Sequence, residues 1–444
     1  MASTKLTRTP SSAGNRQKYT ISFWVKRSSL GNQFLFNTDG GNEETYLRFK
    51  SGDSLQWFEQ NSSAATQANR STNALFKDTN AWYHIVITRD STQSTATDRL
   101  KFYINGVLNT SWAEDATPAQ NTNTRWNNNV EHMIGVGVNG SSNYFNGIMS
   151  HIHFCDGYAY AASDFGSTDA TTGEWKINTN PSVSYGTNGF FILKDGNGVT
   201  DQSPNSNNWT ISGTLTKTED CPSNVFCTWN RLNKGSYIDM SYGNTNVYGN
   251  TATNNGNTWG TISFPPSGKY YWETKVLSYH SGASSGYPQI GILRDNTISQ
   301  GDMNGGSAGY VSSSKDCYYP AGGTTVYSKS GNVTVSATSL NDIIMCAMDS
   351  TAGNMKFWMG VNGTWWNSGD PANGTNAIWT ETGDYQPVPF ISGFNASRGD
   401  SNFGNGYFGT TAVASAGTNA SNNGIFEYNV PTGFTALSTK GMNL

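Results

Sequence analysis

Four oxygen-bearing side chains stand at alternate positions in DQSPNSN: Asp201, Ser203, Asn205 and Asn207. Spaced this way, such groups can surround a hard cation, and calcium is the one cofactor the sequence suggests. The competing reading is a turn in which Asx and Ser side chains cap their own backbone. One carboxylate alone gives weak calcium affinity, which favours the turn. Asp39 and Glu43 form a weaker version of the same idea. His151 and His153 lie two apart, on one face of a strand, and would need a third ligand from elsewhere to hold zinc. Hydrolysis of a glycosidic bond needs two carboxylates facing one sugar bond. Glu43, Glu44, Glu114 and Asp115 sit on polar loops, where solvated charge is the ordinary outcome. There is no G-x-S-x-G elbow for a serine nucleophile, and the glycines of GVGVNGSSN lie between strands rather than before a helix. No catalytic residues are expected, and the chain is read as a non-enzyme. Aromatic side chains are the better candidates for recognition, because exposed rings stack on sugars or anchor protein interfaces. Trp126, Trp365 and Trp366 sit in or beside polar loops. Trp126, within NTNTRWNNN, reads most clearly as a surface residue.

The elements that must position these residues are strands. In residues 82–108, Trp82, His84, Val86 and Thr88 alternate with Tyr83, Ile85 and Ile87. Leu100, Phe102 and Ile104 repeat the period of two. Asn105-Gly106 then closes a hairpin, since both residues tolerate positive φ. These strands are apolar on both faces, so they are expected between layers. The stretch resembles the central strands of laminin-G-like (concanavalin-like) domains.

Composition agrees with a β protein. Of 444 residues, 35% are hydrophobic, 13% aromatic and 13% charged, with 49 glycines. So little apolar content would suggest disorder, but the aromatic fraction supplies large core side chains. The net charge of −4 comes without a basic run, which argues against nucleic acid. No apolar run could span a bilayer, and the first residues lack a Sec-type signal, so assembly in a cytoplasm is expected. The 5 cysteines are expected to be buried thiols. Helical signals are nearly absent, with one turn at residues 161–165.

The expected fold is all-β: two tandem antiparallel β-sandwiches, the first over residues 1–218, a linker over 219–234, and the second over 235–444. Residues 189–214 resemble the strand pair that usually opens a laminin-G-like domain. Here they come last, so they are expected to return to the first sheets, as in a circular permutation. The second half carries a Y-W-E strand (Tyr271, Trp272, Glu273), an I-G-I strand, a D-x-x-x-G-x-x-x-F strand and a closing N-F-G. This series resembles a SPRY domain. That resemblance implies a contact surface on loops at 281–287, 299–309 and 365–376, with Tyr287 among the binding residues.

Three segments, at residues 7–27, 153–175 and 185–214, together resemble a family of tailed-phage virion proteins. The resemblance implies a virion structural protein, assembled in the host cytoplasm and displayed as a tail fibre, tail-associated part or head decoration. Its expected partners are other virion proteins and host-surface glycan, with repeated copies and a trimer in the case of a fibre. The alternatives are a polysaccharide depolymerase tailspike and a bacterial surface lectin.

Overall fold

Alternation along Lys18–Arg27 sends Tyr19, Ile21, Phe23 and Val25 into one core and turns Thr20, Ser22 and Trp24 the other way. All seven are buried. The strand pairs with Tyr83–Asp90, placing Ile21 opposite Ile87 and Phe23 opposite Ile85, and on its other side with Gly147–Asp156. The computed structural model describes residues 3–194, 198–280, 286–294, 304–305, 315–383 and 386–443. It divides into two units, Met1–Lys217 and Thr218–Leu444.

In the first unit that trio is the centre of a six-stranded sheet, completed by Phe190–Ile192 at one edge and by Leu100–Ile104 and Val107–Leu108 at the other. An eight-stranded sheet faces it. The core between them is aromatic: Phe23 of the smaller sheet meets Phe36 of the larger edge-on at 4.9 Å, and Trp57, Tyr19 and Phe154 fill the adjoining space. The outer face of the six-stranded sheet is covered by residues from 160–185, including Phe165 and Trp175, which explains why its strands read as apolar on both sides. The hairpin turn forms at Asn105 (φ 47°) and Gly106 (φ 83°).

The late strands return. Phe190–Ile192 pairs with Gly147–Asp156, Phe190 opposite Phe154. Thr210–Ser212 pairs with Lys5–Arg8, Ile211 opposite Leu6. Each sheet therefore ends on a strand from residues 190–212, and Trp209 packs on Phe190 at 5.0 Å. Deleting residues 187–214 is expected to abolish the cooperative thermal transition of the first unit in calorimetry. Stripping both edges uncovers Phe154 and Leu6 and leaves unpaired backbone donors. A deletion variant that melts like the parent would contradict this.

The second unit is also a pair of mainly antiparallel sheets. Lys269–Ser278 lies between Arg398–Asn402 and Ile343–Asp349, and Met355–Val361 continues that sheet. Gln289–Arg294 lies between Lys315–Pro320 and Pro387–Gly393 in the other. Trp272 stacks between Phe357 (5.7 Å) and Phe403 (6.4 Å) in the core. One expectation is corrected here: residues 219–234 are no linker. Trp229–Lys234 is a strand paired with Asn255–Gly260, and Cys227 and Trp229 are core residues. The polar sequence hid this, because only Phe226, Cys227 and Trp229 of these residues enter a core. The expected contact loops at 281–287 and 299–309 lie mostly outside the described residues. The expected helical turn is a short 3-10 turn, Ala162–Asp164.

Candidate functional site

The Asp201 group is a self-satisfied turn, the arrangement the sequence favours over a calcium site. Asp201 Oδ1 accepts from the backbone N–H of Phe191 and Ser203, both at 2.8 Å. Its Oδ2 accepts from Ser203 Oγ (2.8 Å) and Asn207 N (2.7 Å). Asn205 and Asn207 point their amide donors at the carbonyls of Gly186, Thr187 and Gly189. A cation would have to displace four hydrogen bonds and face amide N–H groups. The turn instead ties Phe190–Ile192 to the strand that follows. In the other acidic loop, Glu43 is paired with Arg16 and Arg125, and Asp39 accepts from Gly41 N and Asn139 N. Among the described residues no three His, Cys, Asp or Glu side chains are grouped to hold a metal.

The histidines are structural. His153 stacks on Phe191 at 3.9 Å, and its Nδ1 meets Tyr185 Oη at 2.9 Å. A bulge between Ser150 and His153 gives His151 a φ of 48° and breaks the simple alternation expected of the pair. His84 lies between the rings of Trp24 (4.8 Å) and Trp175 (5.9 Å). Trp175 Nε1–H donates to His84 Nδ1 at 3.0 Å, so Nε2 carries the proton and donates to Ser22 Oγ at 2.9 Å. In that tautomer His84 cannot take a proton from Ser22. Burial lowers its pKa to about 3.

Of the four aromatic candidates, three are buried. Trp126, expected at the surface, is 1% exposed and meets Phe36 and His132 edge-on at 5.8 and 4.5 Å. Its polar neighbours follow the loop while the indole plugs the gap between sheets. Tyr287 is buried and its hydroxyl accepts from Asn255 at 2.7 Å. Trp366 is buried, 4.7 Å from Tyr319. Only Trp365 stays partly open, and it lines a cleft of about 590 Å³ in the second unit.

The cleft has two walls. One follows the turn Asn362 (φ 48°)–Gly363 (φ 85°) and runs through Trp365 to Ala372. A Cβ on Gly363 would come within 3.2 Å of Tyr428, so the close approach of the walls favours glycine. Trp358 Nε1 holds this loop by donating to Thr375 O at 2.8 Å. The other wall is a hairpin-like segment: Gly417 N donates to Phe426 O, and Val430 N to Thr418 O, both at 2.9 Å. Met345 lies at the floor, and Asp370, Thr418, Glu427, Tyr428 and Asn429 supply the polar lining. Asp370 accepts from Asn373 N (3.1 Å) and Nδ2 (2.7 Å), which holds its carboxyl below the usual range. Among the described residues no lysine or arginine lines the cleft.

Beneath the second wall lies a group that the sequence reading passed over. Glu273, fully buried on Lys269–Ser278, accepts from Tyr428 N (2.8 Å), Glu427 N (2.9 Å) and Tyr271 Oη (2.9 Å). The available signal was a carboxylate inside an aromatic strand, which must find donors when buried.

No curated protein sequence matches the chain. Among solved structures, the SPRY domain of human HERC1 is similar at 15% identity, covering 39% of this chain and 96% of that one, with a TM-score of 0.27. Domains LG4-5 of the mouse laminin alpha1 chain are similar at 7% identity, covering 89% and 84%, with a TM-score of 0.28. Tailspike protein 2 from the Escherichia coli O157:H7 bacteriophage CAB120 is similar at 11% identity, covering 36% and 22%, with a TM-score of 0.26. A family model described as the concanavalin A-like lectin/glucanases superfamily, of the laminin G type, matches residues 2–164. Over these residues the chain is similar to a laminin G-type, concanavalin A-like domain.

Proposed function

We propose that the chain is a structural protein of a tailed-phage particle that binds a neutral or amino-bearing glycan in the cleft of its second sandwich. The observation that carries the binding reading is the cleft lining: Trp365 and Tyr428 beside Asp370, Glu427, Thr418 and Asn429, with no basic side chain among the described residues. Aromatic edges with hydroxyl, amide and carboxylate acceptors suit sugar hydroxyls, and the two carboxylates disfavour acidic sugars. The placement on a particle rests on the three sequence segments that resemble virion proteins, and it carries with it repeated copies and virion neighbours. A SPRY-like second sandwich is part of the same proposal: Tyr271-Trp272-Glu273, Ile290-Gly291-Ile292 and Asn402-Phe403-Gly404 occupy or adjoin its central strands.

Binding of the chain to a glycan array tests this reading, with Trp365→Ala as the control. Loss of a central aromatic anchor is expected to cost about 2 kcal/mol, roughly 30-fold in affinity. Binding of acidic glycans alone, or equal binding by the variant, would refute the cleft assignment. Antibody labelling of purified particles tests the virion placement. A second reading, a polysaccharide hydrolase, is favoured by one observation: Asp370 and Glu427 line the same cleft. An acid catalyst must hold a proton near neutral pH, and Asp370 is held ionised by Asn373. Release of reducing ends from a bound glycan, lost in Glu427→Gln, would establish hydrolysis.

A further inference from the structure

We propose that Glu273 is a positioning residue for the cleft, setting the second wall according to its own protonation without touching a ligand. The proposal rests on the cleft reading for its ligand and on geometry for the wall. The Glu273 carboxylate is the shared acceptor for two successive backbone N–H groups, those of Glu427 and Tyr428. Those two residues line the cleft. The segment carrying them has few other bonds to this sheet at that level. Asn402 Nδ2 donates to Ile425 O at 2.9 Å, and the Phe426 ring meets Tyr271 edge-on at 4.9 Å. Releasing the carboxylate therefore frees the backbone of Glu427 and Tyr428, whereas Val430 stays packed against Met345 and Trp358.

The groups around the carboxylate decide how it responds to pH. Its own strand supplies Tyr271, whose hydroxyl donates to it and whose ionisation is pushed far up by burial. The neighbouring strands place Met345 and Asn402 opposite it, neither of which titrates. The adjacent Cys346 thiol is kept neutral by burial. The wall itself contributes Glu427, a like charge, and Tyr428. None of these groups is a cation, and Lys275, two residues along the same strand, holds its Nζ over the Phe408 ring. Burial is the largest influence and raises its pKa to about 7. The closed wall thus binds a proton more tightly than an opened, solvated glutamate. Closure is strongest below the ordinary carboxylate pKa, weakens as pH rises toward about 7, and is constant above that. The cleft loosens on going from acid to neutral pH, by about ten-fold or more in the opening equilibrium.

Hydrogen exchange on the full chain between pH 4.5 and 8, corrected for intrinsic rates, tests this at residues 425–430. Protection in the parent is expected to fall about ten-fold over that range, while Glu273→Gln gives a flat profile. Tyr271→Phe removes a donor to the carboxylate, and its midpoint is expected to move to higher pH. Should Glu273→Gln fail to fold, the parent profile and the Tyr271→Phe midpoint decide the question. A parent profile as flat as that of Glu273→Gln, or an unmoved midpoint in Tyr271→Phe, overturns the proposal. Chitohexaose titrated under the same conditions separates the two readings. Affinity that follows the protection profile supports the positioning role. A pH-dependent wall in a chain that binds no sugar also supports it, and overturns the cleft's function instead.

Discussion

Glu59→Gln is expected to destabilise the first unit by about 3–5 kcal/mol, as is Arg89→Met, because each leaves one charge buried without its partner. The two side chains are fully buried and paired through two hydrogen bonds: Arg89 Nε to Glu59 Oε1 at 2.8 Å, and Nη2 to Oε2 at 3.0 Å. Trp57 Nε1 also donates to Glu59, at 2.9 Å. Arg89 Nη1 donates to the carbonyls of Arg16, Gln17 and Thr122, each at 3.1 Å. The pair thus joins Ser54–Gln60 of one sheet to Tyr83–Asp90 of the other and fastens two loops to them. In Glu59→Gln the guanidinium keeps its carbonyls but loses its counter-charge. In Arg89→Met the carboxylate keeps one donor, the Trp57 indole. Replacing both residues with apolar groups of similar volume removes both charges, so Glu59→Leu/Arg89→Met is expected to be more stable than either single variant. Urea denaturation of the parent, Glu59→Leu, Arg89→Met and the double variant measures this. Additive losses would mean that the charges are not coupled as the geometry requires.

Acid is expected to unfold the first unit well before carboxylates alone would account for it. His84, His132 and His153 are buried and neutral, and burial pushes all three pKa values down, to about 3 for His84 and His132. The hydrogen bonds of His84 and His132 require the neutral ring. His84 Nδ1 accepts from Trp175, and His132 Nε2 accepts from Asn127 N at 2.8 Å while its Nδ1 meets Val130 O at 2.7 Å. The unfolded chain protonates these rings near pH 6.5, and the folded chain resists. Their contribution is complete above that pH and is lost as pH falls toward about 3. Each histidine adds a slope of about 1.4 kcal/mol per pH unit, and three together about 4. Thermal midpoints of the first unit measured from pH 8 to 4 should fall steeply below 6.5. His132→Gln should flatten the curve by about a third while lowering the midpoint at pH 8. The buried Glu273 acts with the opposite sign in the second unit, which gains from acid over the window from about 7 down to the ordinary carboxylate pKa. Hydrogen exchange read separately on peptides of each unit would show the two trends diverging. A midpoint unchanged between pH 6.5 and 4.5 would show that the histidines are already solvated or charged in the folded chain.

Much of the fold was legible because it depends on near neighbours in the chain. A period of two across residues 83–90 marks a strand whatever it pairs with, and Asn105-Gly106 and Asn362-Gly363 make tight turns by their own backbone freedom. Apolar residues on both faces of the strands within residues 82–108 signalled a covered sheet, though not that residues 160–185 would cover it. The choice between a cation cage and a capped turn at Asp201 was visible as a choice. It was settled by Phe191, ten residues earlier, whose N–H the carboxylate accepts.

What tertiary structure alone decided is where each side chain ends. Trp126 and Trp365 have similarly polar neighbours, yet one fills a gap between sheets and the other lines a cleft. Local composition sets the solubility of a loop, whereas burial of one ring depends on the volume that distant strands leave open. The cleft joins residues 363–372 to 418–432, and the Glu273 carboxylate joins a wall residue 155 positions away. Contacts of that span are fixed by how sheets stack and by which donors burial leaves unpaired, and no run of adjacent residues encodes either.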